Sequence, residues 1–491
     1  MGNRIFLVSI LEQALLIAVL VTIWLNSEMW GGSLWVNETD TLSYAEHGIG
    51  GFGYGYGAYV FILHILLSLF GEIDAIFRGL SLICSIITML LIYQFSSTVY
   101  GRRSGVVSSF LFAYSSYSIE FGMQVRDYSV HSFILMCISF WLLKISKAEW
   151  GEKGEFGRAG LIASFGVWFV SVHWFCQIYL ILLFCAFCIP YFMAKTGKLN
   201  QEIGNLPKSV IPPIITTICI IITQVLSMTE GLINSADGEH HLGGGSVPLV
   251  ILPPMDFLIR LFSGSIFLIL LVFTSTLMGV MKIRKEWTSG KVEFGSILIF
   301  SPLIIWTTLC FGQYHLHGLI VERYFYFWFP LVCVYSSAPI SQIVVKIKEN
   351  KSLNYYSKYA LSYFAVLLIL ATSNIVPDSS VYGNMKGGFE MIDEELGGEN
   401  FSIISRPPEH ILDYYLRQFE LEPEIIIGAW HSSDLDKEGI RNLETEFVVV
   451  ISLQSGWILE ETSQVLEETG YSLEEENIFY ESGDTFWVWR K

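Results

Sequence analysis

The chain has 491 residues, 52% of them hydrophobic and 15% charged, with a formal net charge of -17. Apolar stretches near the twenty residues that a helix needs to cross hydrocarbon recur along it, which excludes an ordinary soluble globular protein. Residues 1–376 hold 22 Lys+Arg and 21 Asp+Glu, whereas residues 377–491 hold 7 and 25. The acidity therefore belongs to a separate tail, and nucleic acid is not an expected partner.

In chain order, residues 5–25 follow Met-Gly-Asn-Arg without a small-residue cleavage site and read as a retained first helix. Further spans are predicted at 75–99, 104–121, 129–147, 159–175, 177–194, 209–227, 257–281, 294–312, 323–343 and 356–376, about 11 transmembrane helices in all. Residues 58–70, "AYVFILHILLSLF", are too short to cross and predict a re-entrant or interfacial helix. Cytoplasmic loops collect Lys and Arg. If residues 58–70 do not cross, 18 of the 22 basic residues before 377 lie inside, and the acidic tail lies outside. All eight cysteines fall in apolar spans, so no disulfide framework is implied, and the Cys185–Cys188 pair reads as small buried hydrophobes.

The four basic residues left on the outer side, Arg78, Arg126, Arg260 and Arg323, are all arginine. An arginine keeps its charge and offers a planar fork that fits phosphate oxygens. The bland alternative is snorkelling to lipid headgroups or pairing with nearby carboxylates. Those carboxylates share the same face: "LWVNETDTLSYAEHGIGGFGYGYG" places Glu38, Asp40 and Glu46 before a glycine-tyrosine ladder that includes Tyr56. Two further clusters join them, one with Glu120, Gln124, Arg126, Asp127 and Tyr128, the other with Gln313, His315, His317, Glu322, Arg323 and Tyr324. His315 and His317 would need a third partner to hold a metal. The tail alternates runs such as "EIIIG" and "FVVVIS" with helices near 408–420 and 456–470. It closes on a hairpin around Ser482-Gly483-Asp484, predicting a soluble α/β domain over 377–491.

These pieces occur in an order that resembles the GT-C superfamily of membrane glycosyltransferases, the branch that includes protein O-mannosyltransferases and the lipid A aminoarabinose transferase. The resemblance covers roughly residues 5–376 and rests on Glu38, Tyr59, His64 and Leu69-Phe70-Gly71, then on Arg78 and "VYGRRSG" at 99–105. It continues through Arg126 and Tyr128, His173, and Arg323, Tyr324 and Pro330. Two positions depart from the family pattern: Asn37 stands where the family has an aspartate, and Gln124 where it has a glutamate. An amide takes no proton, so the base must lie elsewhere, with Asp40 the first choice and Glu38 the second.

The resemblance implies a polytopic α-helical GT-C domain over 1–376 in the plasma membrane, with its active site and tail extracytoplasmic. It implies transfer of a sugar from a polyprenyl monophosphate to a glycan, lipid or protein hydroxyl, inverting the anomeric carbon. Arg78, Arg126, Tyr128, Arg323 and Tyr324 would bind the donor phosphate. Tyr56, Tyr59, His64, Gln124, Asp127 and His173 would line the sugar and acceptor cavity. No cofactor is required by these residues, no metal ligands are assigned, and participation of a divalent metal is left open. A transporter or lipid flippase would also carry intramembrane charges, but no internal repeat is visible. A non-catalytic scaffold would leave the outer arginines unexplained.

Overall fold

The computed structural model describes residues 36–46, 57–71, 73–113, 118, 121–122, 124–146, 153–171, 174–197, 206–235, 281, 284, 294, 298, 326–337, 385–406, 409–429, 435–452, 457–479 and 484–491. The helices are α1 (Val36–Glu46), α2 (Gly57–Phe70), α3 (Asp74–Tyr100), α4 (Arg102–Ala113), α5 (Tyr128–Ser146), α6 (Lys153–Val170), α7 (Trp174–Lys195), α8 (Ile211–Ser235) and α9 (Phe329–Ser336). Then follow α10 (Met385–Leu396), β1 (Phe401–Ser405), α11 (Glu409–Gln418), β2 (Ile426–Gly428), α12 (Lys437–Arg441), β3 (Phe447–Ser452), α13 (Trp457–Glu468), β4 (Ser472–Phe479) and β5 (Asp484–Arg490). The chain divides into two compact units. One comprises Met1–Leu25 and Leu80–Val376, the other Asn26–Gly79 and Pro377–Lys491.

In the first unit, Asp74–Tyr100, Tyr128–Ser146 and Cys176–Lys195 are long and apolar enough to cross a membrane; the first of these begins in the second unit. Arg158–Val170 and Lys208–Thr223 are shorter apolar helices. Ile211, Ile215, Ile218 and Ile222 recur at helical spacing along α8 and are all exposed, as are Leu161, Ile162, Phe165 and Trp168 on α6. Such outward apolar stripes suit a lipid surround. Polar groups are buried inside as well. The hydroxyls of Ser96, Ser104 and Ser337 meet one another at 2.5 to 3.1 Å, all three buried, joining α3, α4 and the end of α9. Small hydroxyl residues let helices approach closely and satisfy each other where no water reaches.

Of the span expected at 104–121, α4 covers the residues to Ala113, Ser118 and Phe121 are also helical, and residues 124–127 are a non-helical bend before α5. The spans expected at 5–25 and 356–376 lie outside the described residues, as do nearly all of 257–281 and 294–312.

In the second unit the tail forms a five-stranded sheet of order β2-β1-β3-β5-β4. β1 is parallel to both β2 and β3, β5 runs antiparallel to β3, and β4 pairs antiparallel with β5. Both faces are covered, so β1 and β3 are buried at every position rather than alternating. One face, with Ile404, Val448, Val450, Trp487 and Trp489, shares a core with Ile440 of α12 and Ile458, Val465 and Leu466 of α13. On the other, Phe389 of α10 stacks on Tyr415 of α11 at 5.3 Å and meets Phe486 of β5 edge-on. Gly388 makes that approach feasible, since a Cβ there would sit 2.1 Å from the Phe486 ring.

Candidate active site

Within the second unit, α1 packs on α2, and a ring nitrogen of His64, Nδ1, lies 2.8 Å from the carbonyl of Ala45. Among the described side chains of α1 the buried ones are Glu38, Thr41, Leu42 and Ala45, a one-face spacing that turns the Glu38 carboxylate inward at 1% exposure. Tyr59 of α2 is fully buried, and Arg78, in the second turn of α3, is 3% exposed. Asp40 lies in the middle of α1, but its side chain is outside the described residues, as is Tyr56. Burying a glutamate or an arginine is costly unless other groups hold it, and ionisable residues at membrane depth mark functional pathways.

Within the first unit, the sequence "FGMQVRDYSV" unwinds the chain at the head of α5. Backbone at membrane depth must find internal partners, and serines supply them. Ser81 donates to the Gln124 carbonyl at 2.6 Å, Ser85 to that of Gly122 at 3.3 Å, and Ser129 to those of Phe121 and Gly122 at 3.1 and 3.2 Å. Gly122 is required by this closeness: a Cβ would lie 2.7 Å from Ser85 Oγ and 3.5 Å from the Tyr326 hydroxyl.

The bend presents four predicted residues together. Gln124, Arg126, Asp127 and Tyr128 are all buried, at 4% exposure or less. The Arg126 guanidinium carbon is 5.7 Å from the Tyr128 ring centroid, a cation–π arrangement. Phe121 meets Tyr128 edge-on at 5.5 Å, and Phe327 lies 5.9 Å from the same ring. Tyr326 and Phe327, just beyond Arg323 and Tyr324, thus pack against the bend. Arg323, Tyr324 and His173 are outside the described residues.

One participant went unnoticed in the sequence. His131, fully buried, places Nδ1 3.2 Å from Asp127 Oδ2, and its ring stands against Phe169 and Phe327 at 5.8 Å each. The signal was available: an acid and a histidine four apart at the head of an apolar span share one helix face. Among the described residues no group of three His, Cys, Asp or Glu side chains could hold a metal ion.

The chain shares its fold with an archaeal oligosaccharyltransferase and with ArnT. Its solved neighbours include the apo oligosaccharyltransferase of Archaeoglobus fulgidus, with a TM-score of 0.55 and 10% identity over 94% of this chain and 69% of that one. ArnT from Cupriavidus metallidurans in the apo state gives a TM-score of 0.53 and 10% identity, covering 97% of each chain. The archaeal enzyme AglB in complex with an inhibitory peptide and a dolichol-phosphate gives 0.51, with 11% identity over 90% of this chain and 69% of that one. ArnT bound to undecaprenyl phosphate gives 0.50, with 10% identity over 97% of each chain. At these identities the likeness is one of fold. No protein-family model and no curated protein matches the sequence.

Proposed function

We propose that this chain is a multi-pass plasma-membrane glycosyltransferase that moves a sugar from a polyprenyl monophosphate to an acceptor hydroxyl on the extracytoplasmic face. The observation that carries the reading is the buried Arg126–Asp127–Tyr128 group at the unwound head of α5, in a fold whose solved neighbours hold dolichol-phosphate and undecaprenyl phosphate. Arg78, Arg126 and Arg323 would stabilise the phosphate as it leaves, and Tyr128 and Tyr324 would flank it. Tyr56, Tyr59, His64, Gln124, Asp127 and His173 would line the sugar and acceptor cavity.

Chemically, Asp40 takes the acceptor hydroxyl proton while the acceptor oxygen attacks the anomeric carbon. The bond from that carbon to the phosphate oxygen breaks, leaving an inverted glycoside and polyprenyl phosphate. The inward-turned Glu38 orients the loop or the acceptor. The acidic tail selects acceptors.

Purified protein in lipid nanodiscs, supplied with polyprenyl-phosphate sugars and an acceptor panel, should release polyprenyl phosphate and a glycosylated product by mass spectrometry. Asp40→Asn keeps the volume and removes the basicity, so the rate should fall roughly 100-fold to 10,000-fold while donor binding survives. Full activity in Asp40→Asn with loss in Glu38→Gln would move the base to Glu38. Full activity in both would remove this loop from the chemistry.

A further inference from the structure

The tail touches the first outer loop through one turn of α11. Arg417 places Nη2 2.5 Å from Glu46 Oε1 and Nη1 3.5 Å from Oε2 of the same carboxylate. The Tyr414 hydroxyl donates to Asp74 Oδ1. Both pairs, and the packing of α11 on α1, lie within the second unit. Residues 414 and 417 are three apart and therefore share a helix face.

Their partners matter by position. Glu46 is the last residue of α1 and Asp74 is the first of α3. A single helix face of the tail thus grips both ends of the segment that runs from the acid-bearing helix through the glycine-tyrosine ladder and α2. Glu38 lies two turns back from Glu46, and Arg78 one turn on from Asp74. The spacing between the candidate catalytic helix and a candidate phosphate arginine is therefore tied to these two contacts.

We propose that Tyr414 and Arg417 are positioning residues of the transfer reaction, holding α1 and the start of α3 in fixed register and making the tail a working part of the site. This rests on the glycosyltransferase reading above. A solvated ion pair alone contributes little to stability, so loss of either contact should leave the tail folded and show itself in geometry.

The test uses the full chain in nanodiscs with two readouts. The first is hydrogen exchange of α1 and α2, which needs no substrate. Arg417→Glu and Tyr414→Phe should speed exchange in α1 and α2 while leaving β3 protected, and the charge reversal Arg417→Glu with Glu46→Arg should restore it. The second is transfer from a polyprenyl-phosphate sugar. Arg417→Glu should lower kcat by up to about a hundredfold, the cost of a misplaced reacting group, with donor KM unchanged and kcat recovered in the reversal. Unchanged exchange in α1 and α2 would overturn the proposal whatever the activity, and so would a lost kcat that the reversal does not recover. Wild-type protein that transfers no sugar, but shows the exchange pattern, would count against the reaction while leaving the clamp standing.

Discussion

The membrane helices and the tail sheet solve opposite problems with the same twenty side chains. Among the described residues of the first unit the buried set includes Arg126, Asp127, His131, Gln124, Gln177 and thirteen serines, while isoleucines stand exposed on α8 and Leu161, Ile162, Phe165 and Trp168 on α6. In the tail the buried polar side chains among the described residues are Ser402, Ser405, Thr445, Ser452 and Thr462, with no charge among them. Its acids among the described side chains are all at least partly exposed. Where the surround is hydrocarbon, apolar surface gains nothing by turning inward, so the interior is free to hold polar groups that serve a reaction. Where the surround is water, burial of Ile404, Val450, Trp487 and their neighbours drives folding, and a buried charge would oppose it.

The sharpest way to break this contrast is Arg126→Met. If the buried arginine serves phosphate binding, the variant should lose about a hundredfold or more in kcat/KM, the cost of removing one stabilising donor. Its thermal stability should hold or rise, because an apolar side chain of similar length avoids the desolvation cost. A variant that unfolds would make Arg126 a structural residue instead. Truncation should work the other way in the tail: Trp487→Ala is expected to cost about 3–5 kcal/mol, read as lost exchange protection in β3. Phe165→Ala on the exposed stripe of α6 should change stability by no more than about 0.5 kcal/mol.

Two glycines refine the comparison at smaller scale. Gly388→Ala forces a methyl against a rigid phenylalanine ring and should cost about 1–3 kcal/mol. Gly122→Ala crowds the Ser85 hydroxyl, which can rotate away, and otherwise makes ordinary contacts, so its stability cost should be smaller, and adding Ser85→Ala should recover part of it. Tyr471→Phe removes a hydroxyl that donates to the Thr445 carbonyl at 2.6 Å and should cost about 1 kcal/mol. Burial pushes the Tyr471 phenol above its ordinary value. Its contribution is therefore fully present below roughly pH 10 and fades as pH rises through the raised value, so wild type and variant should converge in alkali.

The sequence alone determined the elements whose causes are local. The apolar runs placed α3, α5 and α7 within a few residues of the expected spans, and the β-branched runs "EIIIG" and "FVVVIS" became β2 and β3. Glu38, Arg78, Arg126 and Asp127 stood out because charge is conspicuous among apolar residues, and all four are buried. What only the tertiary structure decided depends on which distant surfaces meet. Nothing near Gly122 announces that Ser85, thirty-seven positions earlier, will approach its carbonyl. Nothing in "EHILDYYLRQ" says that its tyrosine and arginine will hold Asp74 and Glu46, 340 and 371 residues away. Solvent preference is written into each short stretch of chain. The choice of partner among many compatible surfaces is made by packing the whole unit at once.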